Sequence, residues 1–255
     1  MLNYSEVIDW LDMVADGLSE VRSGLAPEGN LRVGINYSNF LLASKNPSSG
    51  EPCGIAVELS REIARRLGVS VEFISFDAAG RLADAVTTGA WDIAFLANEP
   101  ERASQILFSP PYLEIDAGYL APPGSRIQSI TDADSERLRI AIAEKSAYDL
   151  FLSRSLRHAK LVRAKGMDAS YDLFATGKLD LLAGIKPWLM IVAGKMPGSR
   201  VLNDRFMAVQ QCIGAAKRRE SGARYLCEFV EDVKTSGFLS ETVRRLGLRG
   251  VSIAT

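Results

Sequence analysis

The amino-acid sequence predicts an α/β protein of two lobes, each a mostly parallel sheet flanked by helices, joined by two hinge strands and preceded by an extra N-terminal helix. Three observations predict it. Short β-rich runs alternate with helical runs along most of the chain, the pattern of βαβ units. The order helix, Gly, Asp, apolar strand occurs twice, in "TTGAWDIAFLA" (87–97) and "ATGKLDLLAGI" (175–185), as two similar lobes would repeat it. Two extended segments, "DAGYLAPPGSRI" and "DRFMAVQQCIGAAKR", supply the crossings of a hinged cleft.

The elements follow in order. In segment 1–26, Val7, Leu11, Val14, Leu18 and Val21 recur at three- and four-residue steps with acids between them, which predicts an amphipathic helix over about 5–24. The first part of lobe one, 27–119, opens with the strand "NLRVGINY", then turn chemistry at Asn46-Pro47 and Gly50. "IAVELSREIARRLG" is a helix whose apolar side is Val57, Leu59, Ile63 and Leu67, with Gly68 placed as its C-terminal cap. "VSVEFISF" alternates as a strand does, "AAGRLADAVTTGA" is a helix stopped at Gly89, and "WDIAFLA" is a buried strand. Lobe two, 120–206, repeats the theme with "LRIAIAE" (138–144), "SAYDLFLSRSL", "KLVRA", "ASYDLFATG" and "LDLLAGI". Residues 207–255 return to lobe one through the second crossing and end in two helices, from about Ser221 to Thr235 and on to about Leu246. Ligands of parallel α/β sheets bind at the carboxyl ends of the strands, so the interlobe cleft is the place for a site.

Composition narrows the function classes. The chain has 255 residues, 47% hydrophobic and 24% charged, with a formal net charge of -1, which leaves no electrostatic footprint for nucleic acid. Arg154, Arg157, His158 and Lys160 form a basic cluster that reads as a solvated face. No apolar run is long enough to cross a bilayer, so no direct membrane insertion is expected. Cys53, Cys212 and Cys227 lack metal-ligand spacing, and His158 is the only histidine, so no metal and no cofactor are expected. "GRLADAVTTG" is not followed by the Gly-Lys-Ser/Thr of a phosphate loop. The acid pairs Asp132/Asp134 and Glu231/Asp232 read as helix-start or surface charges.

"LRVGI", "GIAVELSREIARRLG", "VEFISF", "LADAVTTGAWDIAF", "EPERA", "LFSPPYL" and "LRIAIAEKSAYDLFL" stand in an order that resembles the type II periplasmic solute-binding proteins of family 3, which include polar amino acid receptors of ABC importers. The resemblance runs from about Leu31 to Leu246. It implies a periplasmic-binding-protein-like type II fold whose lobes close on a small polar ligand. The same lineage holds enzymes, notably cyclohexadienyl dehydratases, and sensor ectodomains, so fold does not settle function.

By this resemblance Arg102, in "NEPERA", clamps a ligand carboxylate; the alternative is pairing with Glu99 or Glu101 on a loop. A planar guanidinium suits the first role, offering two parallel donors and staying charged when desolvated. Where amino acid receptors present hydroxyls to the ammonium, this chain has Phe95, Leu96, Ala97 and Asn98. Where they place an aspartate beyond the "G-x-x-D" turn of lobe two, it has Ile185, followed by Lys186. The pattern is an anion site without its cation end, so a standard α-amino acid is not the expected ligand. Asn36, Tyr37, Asn39 and Ala97 are the further lining candidates of lobe one. In lobe two, Ser146 and Ala147 open a helix whose N-terminus favours an anion. Tyr148 either leans into the cleft or packs on its helix, and Lys186 and Trp188 sit where a ligand or the lobe interior is in reach. Tyr112 and Tyr119 are expected to pack near the hinge.

The reading that follows is a solute-binding protein for a small anionic organic molecule, with an ABC permease as partner. A lyase on the same scaffold, with Glu144 as its acid, is one alternative. The other is a cytoplasmic sensor that forms a homodimer through the N-terminal helix. The opening lacks the basic region, apolar core and cleavage site of an export signal, which reads as cytoplasmic, whereas the resemblance implies the periplasm.

Overall fold

The computed structural model describes residues 17–255. Of the N-terminal stripe, Val7, Leu11 and Val14 lie outside the described residues. The chain is helical over 17–25 (α1), and this helix ends with Leu25 fully buried against Gly222. Arg219 donates to the Gly24 carbonyl and to Asp92 at 2.6 Å; Arg32 engages the same carboxylate at 2.8 Å. Asp92 is 0% exposed, and two guanidiniums neutralise it, which is what keeps a charge tolerable inside lobe one.

One sheet runs through the molecule, and its topology divides it. Strands β1 (Asn30–Asn36), β4 (Ser70–Phe76) and β5 (Ile93–Ala97) are mutually parallel in the order β4-β1-β5. In the other half β8 (Arg139–Ala143), β9 (Lys160–Ala164) and β10 (Leu181–Ile185) are parallel in the order β10-β8-β9. Two long strands, β7 (Leu113–Ala121) and β12 (Met207–Ala216), run between the halves. Met207–Gln211 of β12 pairs antiparallel with β7, and Gln211–Ala215 pairs antiparallel with β5, so one strand serves both lobes. Strand β10 pairs antiparallel with β7.

Helices cover the faces. α2 (Ile55–Leu67) buries Val57, Leu59, Ile63 and Leu67, and Gly68 closes it at φ 65°, a left-handed conformation that a glycine adopts without Cβ strain. α3 (Ala79–Asp84) passes into a 3-10 turn that ends at Gly89. α4 (Ala147–Ser155) and α5 (Met167–Thr176) flank lobe two, and α7 (Glu220–Thr235) and α8 (Phe238–Arg245) complete lobe one. Tyr112 and Tyr119 are buried near the crossings, against Phe95 at 5.9 Å and Phe206 at 4.7 Å between ring centroids.

Three kinds of element escape the sequence reading. Lys186–Ala193 is a helix, α6, which begins immediately after β10 and has Pro at its first turn. Proline there costs nothing because the missing N–H would be unpaired anyway, so what reads as a break is a start. The hairpin β2 (Ser44–Lys45) with β3 (Pro52–Cys53), and the short strands β6 (Ile106–Phe108), β11 (Arg200–Val201) and β13 (Val251–Ile253), are too brief to leave a periodic signal. Among the described residues no helix is long and apolar enough to cross a membrane.

Candidate functional site

A cleft lies between the lobes, at the carboxyl ends of β1, β5, β8 and β10, and takes in about 590 Å3 together with its opening to solvent. Lobe one supplies Asn36, Ser38, Asn39 and Leu42 from the end of β1, Phe95, Leu96 and Ala97 from β5, Ala78 and Ala79 from the start of α3, and Arg102. Lobe two supplies Ala143, Glu144, Ser146, Ala147 and Tyr148 around the β8–α4 turn, Gly166 and Met167 at the start of α5, and Ile185 at the end of β10. The crossing strand β12 adds Val209 and Gln211.

Arg102 is 7% exposed and sits in a short 3-10 turn after β5. Its Nη1 donates to the Ala97 carbonyl of its own lobe at 3.0 Å, and its Nη2 donates to the Lys145 carbonyl of lobe two at 2.9 Å. The rest of its five-donor fork has no protein partner among the described residues. Burial lowers its pKa to about 10, against the opposing pull of Glu99, Glu101 and Asp84, so it is charged at neutral pH. It does not pair with Glu99: that carboxylate, 3% exposed, accepts from Arg154 of α4 at 2.8 Å. Arg154 keeps the exposed position expected of the basic face, and its guanidinium also bridges the lobes.

A second ion pair crosses the cleft, Lys145 Nζ to Asp84 Oδ2 at 2.7 Å, with both side chains half exposed or more. Lys145 adopts φ 54°, and a Cβ on Gly80 of α3 would lie 2.5 Å from the Lys145 Cβ. The absence of a side chain at Gly80 is thus what lets the β8–α4 turn touch lobe one.

At the start of α4 the Ser146 hydroxyl accepts from the Asp149 N–H at 3.1 Å. Asp149 in turn accepts from the Lys145 N–H at 2.8 Å and pairs with Arg163 at 3.0 Å. Tyr148 is 4% exposed and its hydroxyl has no hydrogen-bond partner. Burial pushes its phenol well above the usual tyrosine range; the nearby Ser146 hydroxyl acts in the opposite sense but falls short of a hydrogen bond.

Of the residues singled out from sequence, Arg102, Asn36, Asn39, Ala97, Ser146, Ala147 and Tyr148 meet at this cavity, as does Ile185. Two do not. Tyr37 points away from the cleft, half-buried, with Lys45 Nζ 5.4 Å from its ring centroid. Lys186 opens α6 and donates through Nζ to the Asn203 carbonyl, beside a separate groove lined by Phe40, Pro187, Met190 and Leu248. Trp188 packs inside lobe two against Gly184. Glu144 is at the rim and exposed, not a buried acid. Gln211 and Met167 line the cavity unannounced. For Gln211 the signal was a polar residue inside an otherwise apolar run, and it is 4% exposed. Among the described residues no group of three or more His, Cys, Asp or Glu side chains is arranged to hold a metal ion.

Residues 31–246 match the model of the bacterial extracellular solute-binding proteins, family 3. The glutamine-binding protein of Geobacillus stearothermophilus is 22% identical over 203 residues, 78% of this chain and 77% of that one. The substrate-binding protein of an amino acid ABC transporter superposes with a TM-score of 0.72 at 18% identity, covering 85% of this chain and 98% of its own. An ancestral amino acid-binding protein, a precursor of cyclohexadienyl dehydratase, gives a TM-score of 0.72 at 20% identity, covering 89% and 98%. At these identities the structural likeness speaks for the type II periplasmic-binding-protein fold. The family match extends over most of the chain, from β1 through α8, and includes every segment that builds the cavity: this protein belongs to family 3 of the bacterial extracellular solute-binding proteins.

Proposed function

We propose that the protein is the substrate-binding component of an ABC-type importer, and that it captures a small carboxylate-bearing ligand by closure of its two lobes. The observation that carries this reading is Arg102. A buried guanidinium at a cavity wall, with donors left over after one bond to each lobe, is matched to a planar anion. A ligand that completes its donor set adds a third partner to a group that already touches both lobes. Contacts made only when the lobes meet then shift the population toward the closed form. A permease reads that closed shape. The glutamine-binding relative and the amino acid transporter component are in keeping with capture rather than turnover.

The test is Arg102→Ala, with affinity for any stabilising carboxylate measured by calorimetry. Removing one partner of a buried, charge-assisted pair costs about 2–5 kcal/mol, or at least thirtyfold in affinity. Near-normal affinity in that variant removes the clamp from the reading.

A further inference from the structure

On the reading of the cavity as a carboxylate site, we infer that its ligand carries no ammonium group and is a 2-oxo acid with an apolar body. The argument is a census of donors and acceptors. Asn36 Oδ1 accepts from the Ser38 N–H at 3.0 Å and the Ser38 hydroxyl at 2.8 Å. Asn39 Oδ1 accepts from the Leu41 N–H at 3.3 Å. Each amide is thereby oriented by its own backbone, and its NH2 end has no protein partner among the described residues. Arg102 retains spare N–H groups, and the Tyr148 hydroxyl is buried without a partner. These groups donate.

The acceptors at the buried wall are neutral, namely the Gln211 amide oxygen and the hydroxyls of Ser38, Ser146 and Tyr148, and none of them offsets a positive charge. The only side-chain carboxylate along the cavity wall is Glu144, which is exposed at the rim. Asp149 is committed to the Lys145 N–H and to Arg163, and Glu99 is committed to Arg154. Ile185, 3% exposed, presents only hydrocarbon at the far wall. An α-ammonium placed there brings three donors and a positive charge beside buried Arg102, with no counter-charge, and desolvation penalises it heavily. A 2-oxo acid brings the same carboxylate and replaces the ammonium with a carbonyl, which accepts only. The apolar wall of Phe95, Met167, Ile185 and Val209 suits an aliphatic or aromatic body.

Matched pairs test this, because each pair differs only at the second carbon. Pyruvate, 4-methyl-2-oxopentanoate and phenylpyruvate are titrated calorimetrically against L-alanine, L-leucine and L-phenylalanine on the unaltered protein. The expected result is at least tenfold tighter binding of the oxo acid in every pair that binds. In Ile185→Asp, which sets a carboxylate at the apolar end, the preference should narrow or reverse. The ratio on the unaltered protein decides the matter even where the variant fails to fold. Equal or tighter binding of an amino acid, abolished by Arg102→Ala, overturns the inference and leaves the carboxylate reading standing. Binding of none of the six compounds overturns both.

Discussion

The two walls of the cleft are built on the same βαβ plan and do opposite chemistry. Lobe one presents Arg102 and the amides of Asn36 and Asn39, and lobe two presents Ile185, Met167, Ala143 and the ring of Tyr148. The one buried charge comes from the first wall, beside Phe95 and Leu42, while the second adds hydrocarbon and the unpartnered Tyr148 hydroxyl. This difference teaches where affinity and selectivity reside. A ligand seated on lobe one alone keeps its water on one side, and its hydrogen bonds to Arg102 are then worth little net. When lobe two covers it, the same bonds act in a drier medium and strengthen. The apolar wall therefore serves the polar one.

Losing Arg102 is the largest expected effect, since it removes the one charge of the polar wall. Next comes the approach of the walls themselves. Gly80→Ala puts a Cβ 2.5 Å from that of Lys145, and overpacking of this kind costs about 1–3 kcal/mol. Alanine is also the better helix former, so the free protein should melt no lower while ligand affinity, measured by calorimetry, falls about tenfold. Unchanged affinity would mean that binding does not need the walls this close. The charge on the polar wall gives a pH signature. With its pKa lowered to about 10 by burial, Arg102 is protonated across the neutral range and loses its proton as pH rises through that value. Affinity for an anion should be flat from about pH 6 to 9 and fall above about 10; a fall centred near pH 6.5 would assign the dependence to another group.

A smaller effect belongs to the Glu99–Arg154 bridge. Arg154 is 46% exposed on its side chain, so the pair is worth about 1 kcal/mol or less to the closed form. Glu99→Gln should weaken binding by about fivefold or less, and the difference from the parent should shrink in 1 M salt. A loss as large as that of Arg102→Ala would make the bridge part of the site. At the bottom of the scale is Glu144→Gln. The side chain is exposed at the rim, and binding isotherms of the variant should overlay those of the parent. Mass spectrometry of ligand recovered from both proteins should find it unchanged; consumption by the parent and not by the variant would move the protein to the enzymes.

Much of this was legible in the residues. Alternating strands and helices, the twice-used helix–Gly–Asp–strand order and the cap at Gly68 are local patterns, because backbone propensity and one-sided burial act within a few residues. Arg102, beyond β5, and Ile185, the last residue of β10, are placed at the site by the resemblance to family 3, and both lie where the strand ends of a parallel sheet face the cleft. The short strands and α6 were hidden for the same reason in reverse. Strands β6, β11 and β13 exist only because a partner from far along the chain is beside them, the β2–β3 hairpin is too short to show a period, and Pro187 begins a helix whose burial comes from lobe two.

The sequence by itself thus determined the alternation of strands and helices behind the α/β architecture, each element encoded in a segment that needs no distant partner, while the meaning of Arg102 and Ile185 came from the resemblance to a family. Only the tertiary structure decided that Arg102 donates to a carbonyl in each lobe, that Arg154 reaches Glu99, that Gly80 admits Lys145, that Gln211 enters from the return crossing and that Tyr37 and Lys186 turn away. Most of those facts join residues tens of positions or more apart. Side-chain direction across a cleft is set by how two lobes meet, and no periodicity in one lobe records the position of the other.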